Sequence, residues 1–364
     1  MNLFNNIIID KIKMLYRKGL VSPEERTLIN DTIKEYYNTR PSQSKGWISY
    51  EFNPAKQKLP NCNKNHNLQM PEESLLYEAL ANITLNKEKF QKEVKLTRLD
   101  LCEDFLLSTP VSEVLEMLTK CTFPYGKTPK TEQTDDENVS TVYLESAHKN
   151  PDSDSEGTLI IRFYDKVAEY YSKYNTYILA LKSSLSEDEI LMLGDAYNKE
   201  TNTVYLENLN ILRIEIELHQ SIRLKPIAKE LTGFYQDYLS IRHLLEAITR
   251  NCLYKKLDII YKKILKKYVF QHNQAFQIKE PKKISGIREL SVKLLSQSAN
   301  CYKYKIAAMN RGKNPNNNFN AISKLARVEK SNSELYQEVY NEIFKNYNPT
   351  IFNDENIICD FLLV

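Results

Sequence analysis

Four segments of the chain alternate apolar and polar residues with a period of two, which is typical of half-buried β-strands. They are residues 47–53 (WISYEFN), 97–104 (TRLDLCED), 159–166 (LIIRFYDK) and 212–219 (LRIEIELH). Residues 7–14 and 139–146 are two further candidate strands. The pattern therefore predicts a sheet of at least four strands with one face toward a core.

Helix signals separate these strands. Ser22, Pro23 and Glu25 supply an N-cap, a proline at the first helical position and a capping-box glutamate, so a helix is predicted to run to about Tyr37. Further helices are predicted to begin at Pro71 and to cover residues 112–120 and 186–197. Strands alternating with single helices predict an α+β or α/β sheet domain.

The second half of the chain has a different character. No strand signal remains after about residue 221, and residues 222–270 and those after 284 show helical patterns. Two polar segments, 124–138 and 148–157, are predicted to be mobile loops. The fold prediction is α+β, with a mixed or antiparallel sheet domain with helices over residues 1–221 and an all-helical basic region over residues 222–364.

Composition restricts the class of protein. A hydrophobic content of 42% and a charged content of 27% exclude wholesale disorder. No run of about 18 apolar residues is present, so no membrane span or membrane partner is predicted. The first residues show no signal-peptide pattern, which predicts a cytoplasmic protein. The scattered cysteines form no Cys-x-x-Cys pair, which argues against zinc ribbons and disulfide frameworks.

Positive charge is concentrated in one block. The net charge of the chain is +3, but residues 253–313 contain 15 Lys or Arg against 3 acidic residues. Such a block indicates a polyanion partner, with a solvated helix face as the alternative. Tyrosines recur every seven residues at 254, 261 and 268 and are expected to pack inward. The lysines beside them are expected to face outward along DNA phosphates: Lys255, Lys262, Lys263, Lys266 and Lys267.

Carboxylates lie on the polar face of three predicted strands. They are Glu51, Asp100, Glu215 and Glu217. If the strands are neighbours, these groups repel one another unless a cation lies among them, and oxygen ligands suit Mg²⁺ or Mn²⁺. A fourth strand carries Arg162, Tyr164 and Lys166, and a tyrosine beside a metal can be a nucleophile toward phosphate. The alternative is a face of ion pairs, such as Arg98 with Glu215.

These segments resemble a known family. TRLDLCED, IRFYDKVAEY and LRIEIELH, in that order, resemble motifs of the rolling-circle replication initiators, and the closest matches are the Rep_trans-type plasmid Rep proteins and the filamentous-phage gene II replication proteins. The upstream YEFNPAKQKL resembles a Glu-x-x-Pro-x-Lys segment of both groups. The resemblance covers about residues 45–225. It implies that Tyr164 is the nucleophile, and that Glu51, Asp100 and Glu215 bind the metal, with Glu217 a weaker candidate.

The resemblance also implies a function. It predicts a metal-dependent, site-specific DNA endonuclease and strand transferase that initiates rolling-circle replication of a phage or plasmid through a covalent 5′-phosphotyrosine. Lys166 and Arg162 would contact the phosphate or activate the tyrosine. The implied cofactor is Mg²⁺ or Mn²⁺. The implied partners are single-stranded or extruded origin DNA with flanking duplex, and a host helicase and polymerase in the bacterial cytoplasm; a homodimer is left open.

The chain departs from the family in two respects. The loops before Tyr164 are longer than in the plasmid members, and the five histidines are isolated, so the His-hydrophobe-His motif of better-known relaxases is missing. Two rival interpretations remain. One is a relaxase or transposase with the same chemistry, and the other is a non-catalytic DNA-binding replication regulator whose sheet carries ion pairs and no metal.

Overall fold

A computed structural model describes residues 6–57, 70–119, 123, 129–133, 139–149, 156–181, 184–270 and 333–344. The chain divides into two compact units, which are described separately. Among the described residues, the first unit holds 6–57, 70–106, 145–149, 156–181 and 184–262. The second holds 107–119, 123, 129–133, 139–144, 263–270 and 333–344.

Strands and helices alternate along the described chain. The strands are β1 Ile8–Arg17, β2 Ser42–Ser44, β3 Trp47–Phe52, β4 Lys95–Leu107, β5 Lys130–Gln133, β6 Val139–Lys149, β7 Glu156–Asp165, β8 Ile178–Ala180, β9 Tyr197–Asn198, β10 Thr203–Tyr205 and β11 Asn210–His219. The helices are α1 Pro23–Tyr37, α2 Glu73–Ile83, α3 Glu88–Glu93, α4 Val111–Thr119, α5 Lys166–Tyr174, α6 Glu187–Leu193, α7 Ser221–Thr232, α8 Ile241–Thr249, α9 Leu253–Tyr268 and α10 Ser333–Phe344.

Six strands of the first unit form a sheet in the order β2-β3-β1-β4-β11-β7. Strand β1 pairs antiparallel with both β3 and β4, and β11 pairs antiparallel with β7. Ion pairs between β4 and β11 join Arg98 to Glu217 and Asp104 to Arg213. Because residue number rises along one strand as it falls along the other, these two strands are also antiparallel.

The apolar face of this sheet is covered by helices. Leu99 and Leu101 of β4 and Ile214 and Ile216 of β11 are completely buried. Helix α7 packs on β11 and β7, and α8 packs on α2, α3 and α7. Residues 222–262, which follow the predicted boundary at residue 221, belong to the same compact unit as these strands.

The sequence prediction of individual elements is largely confirmed. All six predicted strands are present, and the capping box of Ser22 and Glu25 begins α1. The end of β7 differs, because Lys166 begins α5 where the alternation predicted strand. Asp165 causes this change by accepting hydrogen bonds from the backbone N–H groups of Val167 and Ala168 at 2.8 and 3.0 Å, as an N-cap does.

Short strands were not predicted. Strands β8, β10 and β9 form a separate three-stranded sheet beside a small apolar cluster that includes Val167, Tyr170 and Leu179. Each has only two or three residues, too few for a period of two to be recognised. Strand β5 lies inside residues 124–138, which were predicted to be a loop. Most of the predicted loop 148–157 lies outside the described residues.

The described part of the second unit contains a hairpin as well as helices. Strands β5 and β6 pair antiparallel, with Lys130 opposite Tyr143. Phe270 packs edge-on against the rings of Tyr340 and Phe344. The all-helical basic domain is therefore not confirmed, and residues 271–313, which carry most of the basic block, lie outside the described residues. No helix in the described ranges has the length and apolar composition that a bilayer crossing requires.

Candidate metal centre and tyrosine site

Three carboxylates from three neighbouring strands converge on the polar face of the sheet. Asp10 of β1, Asp100 of β4 and Glu215 of β11 each place an oxygen within 4.8 Å of the others. Asp100 is completely buried and Glu215 is 6% exposed. We call these three residues the carboxylate trio. An all-oxygen donor set of this kind suits Mg²⁺ or Mn²⁺.

Asp10 was missed by the sequence interpretation. Its side chain joins the trio because β1 has an irregular register there: Ile9 pairs with Leu101 and Lys11 with Asp100, which leaves Asp10 as an extra residue. A bulge of this kind redirects a side chain and is frequent next to active sites. Asp10 also accepts a hydrogen bond from the Asn53 side-chain amide at 3.0 Å.

A second acidic group shares Asp100. It comprises Asp100, Glu217 and His219, whose ligand atoms also lie within 4.8 Å of one another. Arg98 already neutralises this group, because its guanidinium contacts Asp100 at 2.6 Å and Glu217 at 2.9 Å. Arg162 lies 2.9 Å from the other oxygen of Glu217. The predicted pair of Arg98 with Glu215 is replaced by these contacts.

The two groups differ in how strongly they hold protons. Burial raises the pKa of Asp100 to about 6, although the Arg98 guanidinium opposes the shift. Burial and the nearby charges of Asp10 and Asp100 raise the pKa of Glu215 to about 7. Burial would raise the pKa of Glu217 as well, but the hydrogen bond from His219 and the charges of Arg162 and Arg98 bring it below its usual value. Burial therefore makes Asp100 and Glu215 hold their protons more tightly than Glu217 does.

Tyr164 lies beside the trio. It is half-buried on β7 and pairs in register with Arg213 of β11. Its hydroxyl donates a hydrogen bond to the Glu215 carboxylate at 3.2 Å. Burial raises the pKa of Tyr164 well above its usual value, and the positive charge of Arg213 offsets part of that shift. The tyrosine is thus a neutral hydroxyl held next to a carboxylate.

Arg213 is a fully buried cation next to the site, and the sequence interpretation gave it no role. Its Nε and Nη2 atoms donate to the two oxygens of Asp104 at 2.6 and 2.5 Å. Its Nη1 atom lies 3.9 Å from Asp10. A bidentate pair fixes the guanidinium plane, so the charge near Tyr164 and Asp10 has a defined position.

The other predicted site residues are placed differently. Lys166 is buried in the first turn of α5, and its ammonium lies 2.5 Å from Glu169. Burial and the charge of Arg213 lower the pKa of Lys166 to about 7. Glu51 lies 3.6–3.8 Å from Lys11, Lys13 and Arg98. Within the described residues, Glu51 belongs to neither of the two acidic groups.

The lysines of α9 do not form the expected outward row. Lys255 is exposed, whereas Lys263, Lys266 and Lys267 are half-buried. Lys262 is only 4% exposed, so its predicted outward position is wrong. It turns inward because the buried Glu103 of β4 binds its ammonium. The inward packing of the tyrosines is confirmed for Tyr261, which is completely buried.

Comparison of the sequence with models of known protein families and with curated proteins found no match. The functional interpretation of this surface therefore depends on the geometry and chemistry of its own residues.

Proposed function

We propose that the chain is a metal-dependent, site-specific DNA endonuclease and strand transferase that initiates rolling-circle replication of a phage or plasmid. The observation that carries the proposal is the hydrogen bond from the Tyr164 hydroxyl to Glu215, a member of the carboxylate trio. A nucleophile must lie within reach of a proton acceptor and beside the positive charge that a phosphate requires. Tyr164 meets the first condition directly, and the trio can meet the second.

The reaction follows from these positions. The Tyr164 oxygen attacks the scissile phosphorus while its proton passes to Glu215, which already accepts the hydrogen bond. The bond from phosphorus to the 3′ oxygen breaks, the 3′ oxygen takes a proton from solvent, and the 5′ phosphate stays on Tyr164. The phosphodiester energy is kept in the new ester, so the reverse reaction can reseal a strand.

The surrounding residues can supply positive charge to the phosphate and to the tyrosine oxygen during this reaction. A divalent ion held by Asp10, Asp100 and Glu215 would supply positive charge to the phosphate. Arg162, whose side chain is 42% exposed, is accessible to a phosphate from solvent. Arg213 adds a fixed positive charge near Tyr164, which favours the phenolate as the proton leaves. We further propose single-stranded or extruded origin DNA as substrate, Mg²⁺ or Mn²⁺ as cofactor, and a bacterial cytoplasm as the location.

The proposal is tested by measuring whether the protein forms a covalent adduct with DNA. Because the origin sequence is not defined, the substrate is a pool of random single-stranded DNA. The protein is incubated with Mn²⁺ and a labelled pool of random single-stranded DNA, and linked species are resolved on a denaturing detergent gel. Wild type is expected to form an adduct and Tyr164→Phe none. The matched control is Tyr171→Phe, which removes a hydroxyl from an exposed tyrosine of α5. An adduct in Tyr164→Phe, or none in wild type, would overturn the proposal.

A second candidate function rests on the ion pairs. Arg98 and Arg162 already balance Glu217 and part of Asp100. That arrangement favours a non-catalytic DNA-binding replication regulator if the trio binds no metal. Such a protein would shift DNA in a native gel and form no adduct. A relaxase or transposase would give the same adduct as an initiator and differ only in its DNA partner.

A further inference from the structure

Two consecutive residues of α9 reach two neighbouring strands behind the tyrosine site. The Tyr261 hydroxyl donates to the backbone carbonyl of Ile214 on β11 at 2.8 Å. The Lys262 ammonium donates to the Glu103 carboxylate on β4. Tyr261 is completely buried, and Lys262 and Glu103 are 4% and 1% exposed. One turn of helix therefore contacts β4 and β11 through buried polar groups.

Both contact points lie directly behind residues of the site. Glu103 is followed by Asp104, whose side chain points to the opposite face and holds Arg213. Ile214 lies between Arg213 and Glu215 on β11. Besides the hydrogen bonds between their backbones, the two strands are thus joined by side chains on both faces at this level, by Asp104 with Arg213 on the site face and by α9 on the helix face.

Packing alone does not explain the choice of lysine at this place. Lys262 lies near the ring of Phe105, whose centroid is 5.0 Å from the ammonium, and an apolar side chain would fill this position. Removing a charged pair from water is costly, and buried ion pairs often stabilise a fold no more than apolar residues of equal volume. The pair instead joins two buried atoms on different elements, the Lys262 ammonium of α9 and the Glu103 carboxylate of β4, and Asp258 of α9 lies 3.7 Å from the same ammonium.

We propose that Lys262, acting through Glu103, and Tyr261, acting through Ile214, are positioning residues that set the alignment of β4 with β11. The alignment fixes where Asp100 lies relative to Arg213 and Glu215, and hence where the phosphate and Tyr164 meet. This inference rests on the proposed nicking function. Reacting groups are sensitive to such placement, since a displacement of about 1 Å can lower a rate roughly 100-fold.

The decisive variant replaces both charges at once. Glu103→Leu combined with Lys262→Met keeps the buried volume and removes both charges of the buried pair. Asp258, which lies 3.7 Å from the Lys262 ammonium, has a side chain that is 36% exposed to solvent, so the fold is expected to persist. The single-turnover rate of adduct formation should fall about 10- to 100-fold, with DNA affinity and the urea midpoint unchanged. Lys262→Arg keeps the pair and should retain most of the rate. Lys34→Met removes an exposed lysine of α1, which has no part in the site or in the basic block, and should change none of these quantities.

A spectroscopic readout separates positioning from general stability. In protein labelled with ¹⁵N-arginine, the Nε–H signal of Arg213 reports its bond to Asp104 and is assigned by its loss in Arg213→Lys. The signal should shift in the double variant and in Tyr261→Phe, which removes only one hydroxyl, and remain unchanged in Lys34→Met. An unchanged signal and rate in both variants would overturn the inference. If wild type forms no adduct, the proposed function fails, and the Arg213 signal still decides whether α9 aligns the strands.

Discussion

At the scale of single residues, Asp10 belongs to the carboxylate trio and Glu51 does not, so the two residues are expected to differ in their effect on metal binding. Asp10→Asn and Asp100→Asn should each weaken Mn²⁺ binding at least tenfold, because Mg²⁺-type ions depend on several hard oxygen ligands. The matched control is Glu51→Gln, which removes a carboxylate already surrounded by Lys11, Lys13 and Arg98. Titration calorimetry with Mn²⁺ measures all three. Equal losses in Glu51→Gln and Asp10→Asn would make Glu51 a ligand, as the resemblance implied.

The raised pKa values of the trio predict how metal binding depends on pH. Asp100 and Glu215, with pKa values of about 6 and about 7, are protonated in the acidic range and must lose those protons to ligate a cation. Mn²⁺ affinity should therefore increase between about pH 5.5 and pH 8 and then level off. Calorimetry in buffers of different ionisation enthalpy would also detect the released protons. A flat affinity profile over this range would contradict the assignment.

Several residues of the site could be predicted from the sequence, and others could not. Alternation assigned Asp100, Tyr164, Glu215 and Glu217 to the polar faces of their strands. It could not assign Asp10, because a bulge breaks the period of two and the preceding residues Ile7, Ile8 and Ile9 are all apolar. Alternation also does not determine which residues of neighbouring strands lie opposite each other. The predicted partner of Arg98 was therefore Glu215, whereas the structure pairs Arg98 with Asp100 and Glu217.

At the scale of elements, helix α9 was predicted correctly as a helix, but the direction in which its lysines point was not. Residues 255, 262 and 266 recur at spacings of seven and four, which predicts one shared face. The exposed Lys255 and the buried Lys262 nevertheless have opposite environments. The sequence did contain a signal that one lysine turns inward. Glu103 lies on the apolar side of β4 between Leu101 and Phe105, and a buried charge requires a partner of opposite charge.

The burial of Lys262 predicts a large loss of stability when the pair is broken. Lys262→Ala leaves the Glu103 charge buried without its partner, and about 3–5 kcal/mol of unfolding free energy should be lost. Lys255→Ala, at an exposed position of the same helix, should change it by less than about 0.5 kcal/mol. Urea unfolding followed by circular dichroism measures both. Similar values for the two variants would place Lys262 on the solvent side in solution.

At the scale of the whole molecule, the division into two compact units predicts unfolding in more than one step. Trp47 is the only tryptophan of the chain and lies on β3 in the first unit, so its fluorescence reports that unit alone. Far-UV circular dichroism reports helices and strands of both units. The two signals should give different urea midpoints, since coincident transitions are the mark of two-state unfolding. Superimposable curves would show that the chain unfolds as one cooperative body.

The division itself could not be obtained from the order of strands and helices. The last strand signal ends at His219, and a change from sheet to helix suggested a boundary at residue 221. The apolar residues of β4 and β11 must be covered by something, and tertiary packing uses the helices that follow. Alternation shows that one face of a strand is buried, but it contains no information on which later helix buries it.

The strand order also has a consequence for biosynthesis. Strands β1, β3 and β4 leave the ribosome early, but the place beside β4 is filled by β11, which is made only after residue 209. Until then the edge of β4 is open to pairing with other nascent chains. Inward-pointing charges discourage such pairing, and β4 carries Asp100 and Asp104 before Arg213 has been synthesised. The acidic groups that serve the finished site should therefore also keep unfinished chains on a polysome apart.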